Sequence, residues 1–149
     1  MRILVLEHDK ALAQTYKEFF EACNHTCSLA SDRRSAFLLL STQRFDTLLA
    51  DLPMGGFDYG DLLNLIQNYK GSEKIRVFVV RPTEFSTDTY AILKQIGIAG
   101  FFTKSITVDL LQKIFSKDGD AMELKEDKLK NYLSKKTGVK NSSRDIMTD

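Results

Sequence analysis

Proline and glycine are scarce, at two and eight residues in 149, which excludes collagenous and low-complexity architectures. A surplus of one charge is missing as well. The chain sets 21 Lys and Arg against 20 Asp and Glu, a formal +1, and so weak a field gives no general hold on a nucleic-acid backbone or an anionic membrane surface. Neither direct nucleic-acid binding nor membrane association is expected. No long hydrophobic run occurs at the start, where the apolar Ile3-Leu4-Val5-Leu6 meets Glu7, far too short for a signal peptide or a membrane span. A cytoplasmic location is therefore expected. Cysteine is limited to Cys23 and Cys27 with His25 between them, and structural zinc sites need two such pairs. They read as two unpaired, semi-buried thiols, at a helix end and in a strand, in a reducing compartment.

The chain does have size and pattern. With 43% hydrophobic and 28% charged residues, one ordinary globular domain is expected, burying roughly 70% of its unfolded surface. Residues 3–6 form a continuous apolar run, the mark of a strand buried on both faces. Asp9 offers a helix N-cap, Leu12, Tyr16, Phe19, Phe20 and Cys23 repeat at helical spacing, and Asn24 offers a stop. A second strand is predicted over Thr26 to Ala30. Asp32 then caps a helix carrying Ala36, Phe37, Leu38, Leu39 and Leu40, and a third strand runs from Asp46 to a terminal carboxylate at Asp51.

Gly55, Gly56 and Gly60 punctuate a loop before Leu62, Leu63, Leu65 and Ile66 resume helical spacing. Ile75 to Val80 reads as a β-branched strand stopped by Pro82. A helix beginning at Thr87 or Asp88 carries Tyr90, Ile92, Leu93 and Ile96, a short strand spans Gly100 to Thr103, and a last helix carries Val108, Leu110, Leu111, Ile114 and Phe115. Strands alternating with helices predict a doubly wound α/β fold with a five-stranded parallel sheet, because parallel crossovers need a helix-length return. Function in such folds gathers at the carboxyl ends of the strands. Glu7, His8, Asp9, Asp51, Arg81 and Lys104 are predicted there.

Beyond residue 116 the composition shifts, with eight Lys and Arg and seven Asp and Glu from Ser116 to Asp149. The division expected is a domain over 1–116 and a charged, partly helical tail over 117–149. Met122, Leu129, Tyr132 and Leu133 have the spacing of one face of an amphipathic docking helix. No effector-sized second domain and no internal repeat are seen.

Across residues 1–116 the order and spacing resemble the receiver domain of bacterial two-component response regulators, a flavodoxin-like fold. The resemblance is carried by Ile3-Leu4-Val5-Leu6-Glu7-His8-Asp9, by Asp46-Thr47-Leu48-Leu49-Ala50-Asp51-Leu52-Pro53-Met54, and by Gly97 followed by Phe101-Phe102-Thr103-Lys104. It implies that Asp51 is the phosphoacceptor, a carboxylate that attacks phosphorus in line while Mg²⁺ offsets charge on the transferring group. It also implies a magnesium site at Glu7, Asp51 and the backbone carbonyl of Pro53, phosphoryl contact through Lys104, and an activation-linked aromatic at Phe101. Plain core packing is the alternative reading of Phe101.

Four residues depart from the pattern. His8 stands in place of an acid, and imidazole suits a hard, oxygen-seeking cation poorly, so magnesium affinity should fall. Arg81 occupies the place of a hydroxyl residue and cannot take over its role unchanged. Ser105 replaces a proline normally preceded by a cis bond, so Lys104–Ser105 is expected to be trans and Lys104 somewhat re-aimed. Gly55 replaces another proline, which should loosen the loop after Asp51. Counting charges, Glu7 and Asp51 supply −2 and Arg81 and Lys104 supply +2, so the cluster can neutralise itself without metal.

Two functional readings stand side by side. One is a working receiver that takes phosphate onto Asp51 from a histidine kinase or phosphotransfer protein and signals to a downstream protein. The other is a degenerate, phosphate-independent docking module in which Arg81 and Lys104 neutralise Glu7 and Asp51. Either allows a homodimer through helix four, strand five and helix five, or through the tail. Separate enzymatic turnover is not expected beyond self-phosphorylation from a phosphodonor: neither a P-loop nor a dinucleotide fingerprint occurs, and acids after strand one disfavour a flavin phosphate.

Overall fold

A computed structural model describes residues 1–69, 75–80 and 87–102. Along the chain these form β1 (Arg2–Leu6), α1 (Lys10–Ala22), β2 (Thr26–Ala30), α2 (Arg33–Thr42), β3 (Thr47–Ala50), α3 (Tyr59–Gln67), β4 (Arg76–Val80), α4 (Thr87–Ile96) and β5 (Gly100–Phe102). The strands make one five-stranded sheet in the order β2-β1-β3-β4-β5, every neighbouring pair parallel. This is the expected doubly wound, flavodoxin-like fold. The predicted last helix, Arg81, Lys104, Ser105 and the tail lie outside the described residues.

Strand alternation divides the core in two. Ile3, Val5, Leu49, Phe78 and Val80 turn to one face, where Tyr16, Phe19 and Phe20 of α1 cover them. Leu4, Leu6, Leu48, Ala50, Val77 and Val79 turn to the other, beneath Ala36 and Leu40 of α2, Leu62 and Ile66 of α3 and Leu93 of α4. Because both faces are covered, the strands read in sequence as unbroken apolar runs rather than as alternating ones.

The helix limits obey local chemistry. Asp9 accepts a hydrogen bond from the Leu12 amide at 3.1 Å, as an N-cap does. At the other end of α1, Asn24 takes the left-handed conformation (φ 69°), while the Asn24 amide donates to the Glu21 carbonyl and the His25 amide to the Phe20 carbonyl, each at 3.0 Å. Those two bonds occupy carbonyls that a helix end would leave open. Asp32 with Ser35, and Asp58 with Asp61, form reciprocal capping boxes on α2 and α3.

Within the apolar run of α2, Phe37 and Leu38 are each 59% exposed, while Ala36 and Leu40, four apart, face the sheet. One expectation is corrected: Gly60 belongs to the first turn of α3 rather than to the loop. Gly55 stands in a turn after Asp51. There Met54 and Phe57 exchange backbone hydrogen bonds of 3.0 and 2.7 Å, and Gly55 (φ 23°) and Gly56 (φ 71°) supply the positive φ values of that turn. Both flanking side chains are buried. The cysteines split: Cys23 is exposed at the end of α1 and Cys27 buried in β2. Burial pushes the Cys27 thiol up to about 12, so it is an inert thiol rather than a ligand or nucleophile.

Candidate functional site

The sheet order reverses direction between β1 and β3, and open α/β sheets bind ligands outside the carboxyl ends of strands at such a switch point. Leu6 and Ala50 are register partners at the ends of those strands. The next residue of each is a carboxylate, Glu7 and Asp51. The Asp51 amide donates to the Leu6 carbonyl at 2.9 Å, and the Glu7 amide to the Ala30 carbonyl at 3.0 Å, so both backbones are tied to the sheet where the acids leave it. Glu7 is 1% exposed and Asp51 9%. Charged groups so deeply placed are uncommon and need partners, and both make interactions.

Glu7 is held by the two residues after it in the chain. Its Oε2 accepts from the Asp9 amide at 3.1 Å and stands 3.7 Å from His8 Nδ1. His8 itself projects outward, with 66% of its side chain exposed. Asp9 points the other way, into the first turn of α1, so the third acid of the segment is engaged in capping. After Asp51, Leu52 is buried and Pro53 exposed, and the Tyr59 hydroxyl donates to the Leu52 carbonyl at 3.4 Å. That bond anchors the start of α3 beside the acids.

Of the residues predicted from sequence, Glu7 and Asp51 are brought together, with His8 at their rim and Pro53 two residues past Asp51. Arg81 and Lys104 lie outside the described residues. Phe101 lies in β5, half-buried against the α2–α4 side of the core, and Phe102 packs on the opposite face against Phe78 with ring centroids 6.2 Å apart. Among the described residues no three His, Cys, Asp or Glu side chains stand close enough to hold a metal ion. Glu7 and Asp51 supply two carboxylates, oxygen donors of the kind that a magnesium ion takes while keeping several of its waters. His8 adds only a nitrogen, which such an ion disfavours.

Sequence reading missed the capping box at Asp58 and Asp61 and the Tyr59 anchor. Asp58-x-x-Asp61 before an apolar run was a legible signal of the first; the second depends on a tertiary contact.

The family model of the response regulator receiver domain matches residues 3–116. The chain belongs to that family. It is thus a receiver domain of two-component signalling, and receiver domains are signalling modules rather than independent enzymes. Solved receivers share the architecture. Chemotaxis protein CheY4 of Vibrio cholerae is 17% identical, with a TM-score of 0.66 over 78% of this chain and 96% of that one. The receiver domain of the sensor histidine kinase PA1611 from Pseudomonas aeruginosa PAO1, solved with a magnesium ion coordinated in its active-site cleft, is 18% identical, with a TM-score of 0.63 over 76% and 92%. The receiver domain of Francisella response regulator 1452 is 26% identical, with a TM-score of 0.59 over 74% and 88%. No curated protein matches the chain. No helix of the described receiver residues is long and apolar enough to cross a membrane.

Proposed function

We propose that this receiver domain takes a phosphoryl group onto Asp51 from a histidine kinase or phosphotransfer protein in the cytoplasm, and passes the signal to a separate protein partner. The observation that carries the reading is the pairing of Asp51 with buried Glu7 at the β1/β3 switch point. In the transfer, an Asp51 carboxylate oxygen attacks phosphorus in line. A P–O bond forms to Asp51, the bond from phosphorus to the donor nitrogen breaks, and the electron pair leaves with the donor imidazole.

Glu7 contributes fixed negative charge beside the reacting carboxylate, held by the Asp9 amide. Glu7, Asp51 and the Pro53 carbonyl are the residues that would hold Mg²⁺, with lowered affinity because His8 replaces an acid. When bound, the ion offsets charge on the transferring group. Lys104 is assigned to contact the phosphoryl oxygens and Arg81 to contribute a second fixed cation. Phe101, on the strand next to β4, is assigned to the partner face with α4, the surface through which a homodimer would also form.

A specific observation favours a second reading. His8 is turned outward and no three-donor group is present among the described residues, as a phosphate-independent docking module would have it, with Arg81 and Lys104 neutralising Glu7 and Asp51. Intact-protein mass after incubation with a small phosphodonor and Mg²⁺ separates the two. The first reading expects a phosphate-sized gain in wild type that is absent in Asp51→Asn. No gain in wild type, with a gain in the His8→Asp, Arg81→Thr double variant, establishes the second.

A further inference from the structure

The feature of this receiver that the site leaves unexplained is the outer face of α2. Phe37 and Leu38 are each 59% exposed and, apart from Met1, are the exposed large hydrophobic residues among those described. Arg34 lies three and four residues before them, so Arg34, Phe37 and Leu38 form one stripe along the helix surface. Arg33 is partnered with Asp61 at 3.8 Å. Arg34 is exposed and has no ion pair among the described residues. Beside the stripe, Phe37 borders a groove of about 180 Å³ between α2 and α3, floored by Phe57 and Leu65.

Two apolar side chains and a cation are far too little to hold a second folded protein, since a stable interface takes about 800 Å² from each partner. A tethered segment faces a lower demand, because its effective concentration reaches the millimolar range. The chain contains a segment of matching chemistry. Residues 118–127 carry five acids against one lysine, interspersed with Met122 and Leu124. Fifteen residues separate Phe102, the last described residue, from Asp118, and with the predicted helix over 108–115 counted at about 1.5 Å per residue they reach at most about 40 Å. The five-stranded sheet is only about 19 Å across.

We propose that residues 118–127 dock in cis on the Arg34–Phe37–Leu38 stripe, seating Met122 or Leu124 at the α2–α3 groove and an acid against Arg34. Docking covers the two exposed apolar side chains of α2. It also sets the tail against the helix after β2, whose carboxyl end adjoins Glu7.

Hydrogen exchange of the full chain, monitored by mass spectrometry on the peptides covering 118–133, tests the assignment. Wild type is expected to show at least tenfold protection there, lost in Phe37→Asp with Leu38→Asp, and lost again in Arg34→Glu. Combining Arg34→Glu with Glu123→Lys and Glu126→Lys should restore it, and unchanged protection of β1 and β3 shows that each variant is folded. Unprotected exchange of 118–133 in wild type overturns the proposal. So does protection that survives the α2 substitutions, or that rises with protein concentration, which would mean capture by a second copy.

Discussion

Helices α1 and α2 pack on opposite faces of the same sheet, and both are rich in apolar side chains. In α1 the large ones fall at Tyr16, Phe19 and Phe20, a three-and-four spacing that puts all of them against the sheet. In α2 they come as an unbroken run from Ala36 to Leu40, and a run of five must wrap the helix. Only Ala36 and Leu40 are buried, Leu39 is half-buried, and Phe37 and Leu38 face out. Burial is set by angular position on the helix rather than by hydrophobicity.

The sharpest test of that contrast uses one residue type on the two faces. Phe20→Ala empties a site with 0% exposure and should lower unfolding free energy by about 3–5 kcal/mol, read from urea denaturation. Phe37→Ala, at 59% exposure among the described residues, should cost no more than about 1.4 kcal/mol, the tenfold protection of the tail that it helps to hold. Equal losses would show that Phe37 is packed as firmly as Phe20.

The loop between β3 and α3 allows a second contrast, between two glycines four residues apart. Gly56 has φ 71°, so Gly56→Ala should cost about 1 kcal/mol or more. Gly60 lies in the first turn of α3, and an added methyl there meets Asp58 Oδ1 at 3.4 Å and Ile92 Cδ1 at 4.0 Å. Gly60→Ala should therefore be neutral or stabilising by a few tenths, up to about 0.5 kcal/mol. Removing the cap in front of that helix, by Asp58→Ala, should cost about 1 kcal/mol. Chemical denaturation of the three variants ranks them directly.

The smallest expected effect is on pH dependence. Burial, with the Met1 ammonium 3.1 Å from its Nδ1, lowers the pKa of His25 below the usual imidazole value. The unfolded chain then binds the proton more readily than the folded one, so stability is full above the ordinary histidine range and declines as pH falls through it. His25→Gln should flatten that slope between about pH 7.5 and 5.5. A slope unchanged by the substitution would place its origin in another group.

Much of the fold was legible because its signals are local. Asp9, Asp32 and Asn24 mark helix ends through hydrogen bonds within a few residues, and β1, β3 and β4 announce themselves as apolar runs. Gly60 was misassigned to a loop because the capping box that starts α3 two residues earlier outweighs one glycine in the first turn. Glu7 and Asp51 were legible as strand-end acids and Asp9 as a cap; that Glu7 is almost fully buried and that His8 turns outward were not. Each of those depends on which neighbour a side chain meets.

By itself, the sequence determined the α/β alternation, the parallel sheet, most helix ends and the two acids that meet at the switch point. These rest on period and on hydrogen bonds spanning three or four residues. The tertiary structure alone decided which side of α2 is covered and how deeply Glu7 and Asp51 are buried where β1 and β3 lie side by side. Those outcomes depend on contacts between residues far apart in the chain, where packing against a common sheet leaves room for some side chains and excludes others.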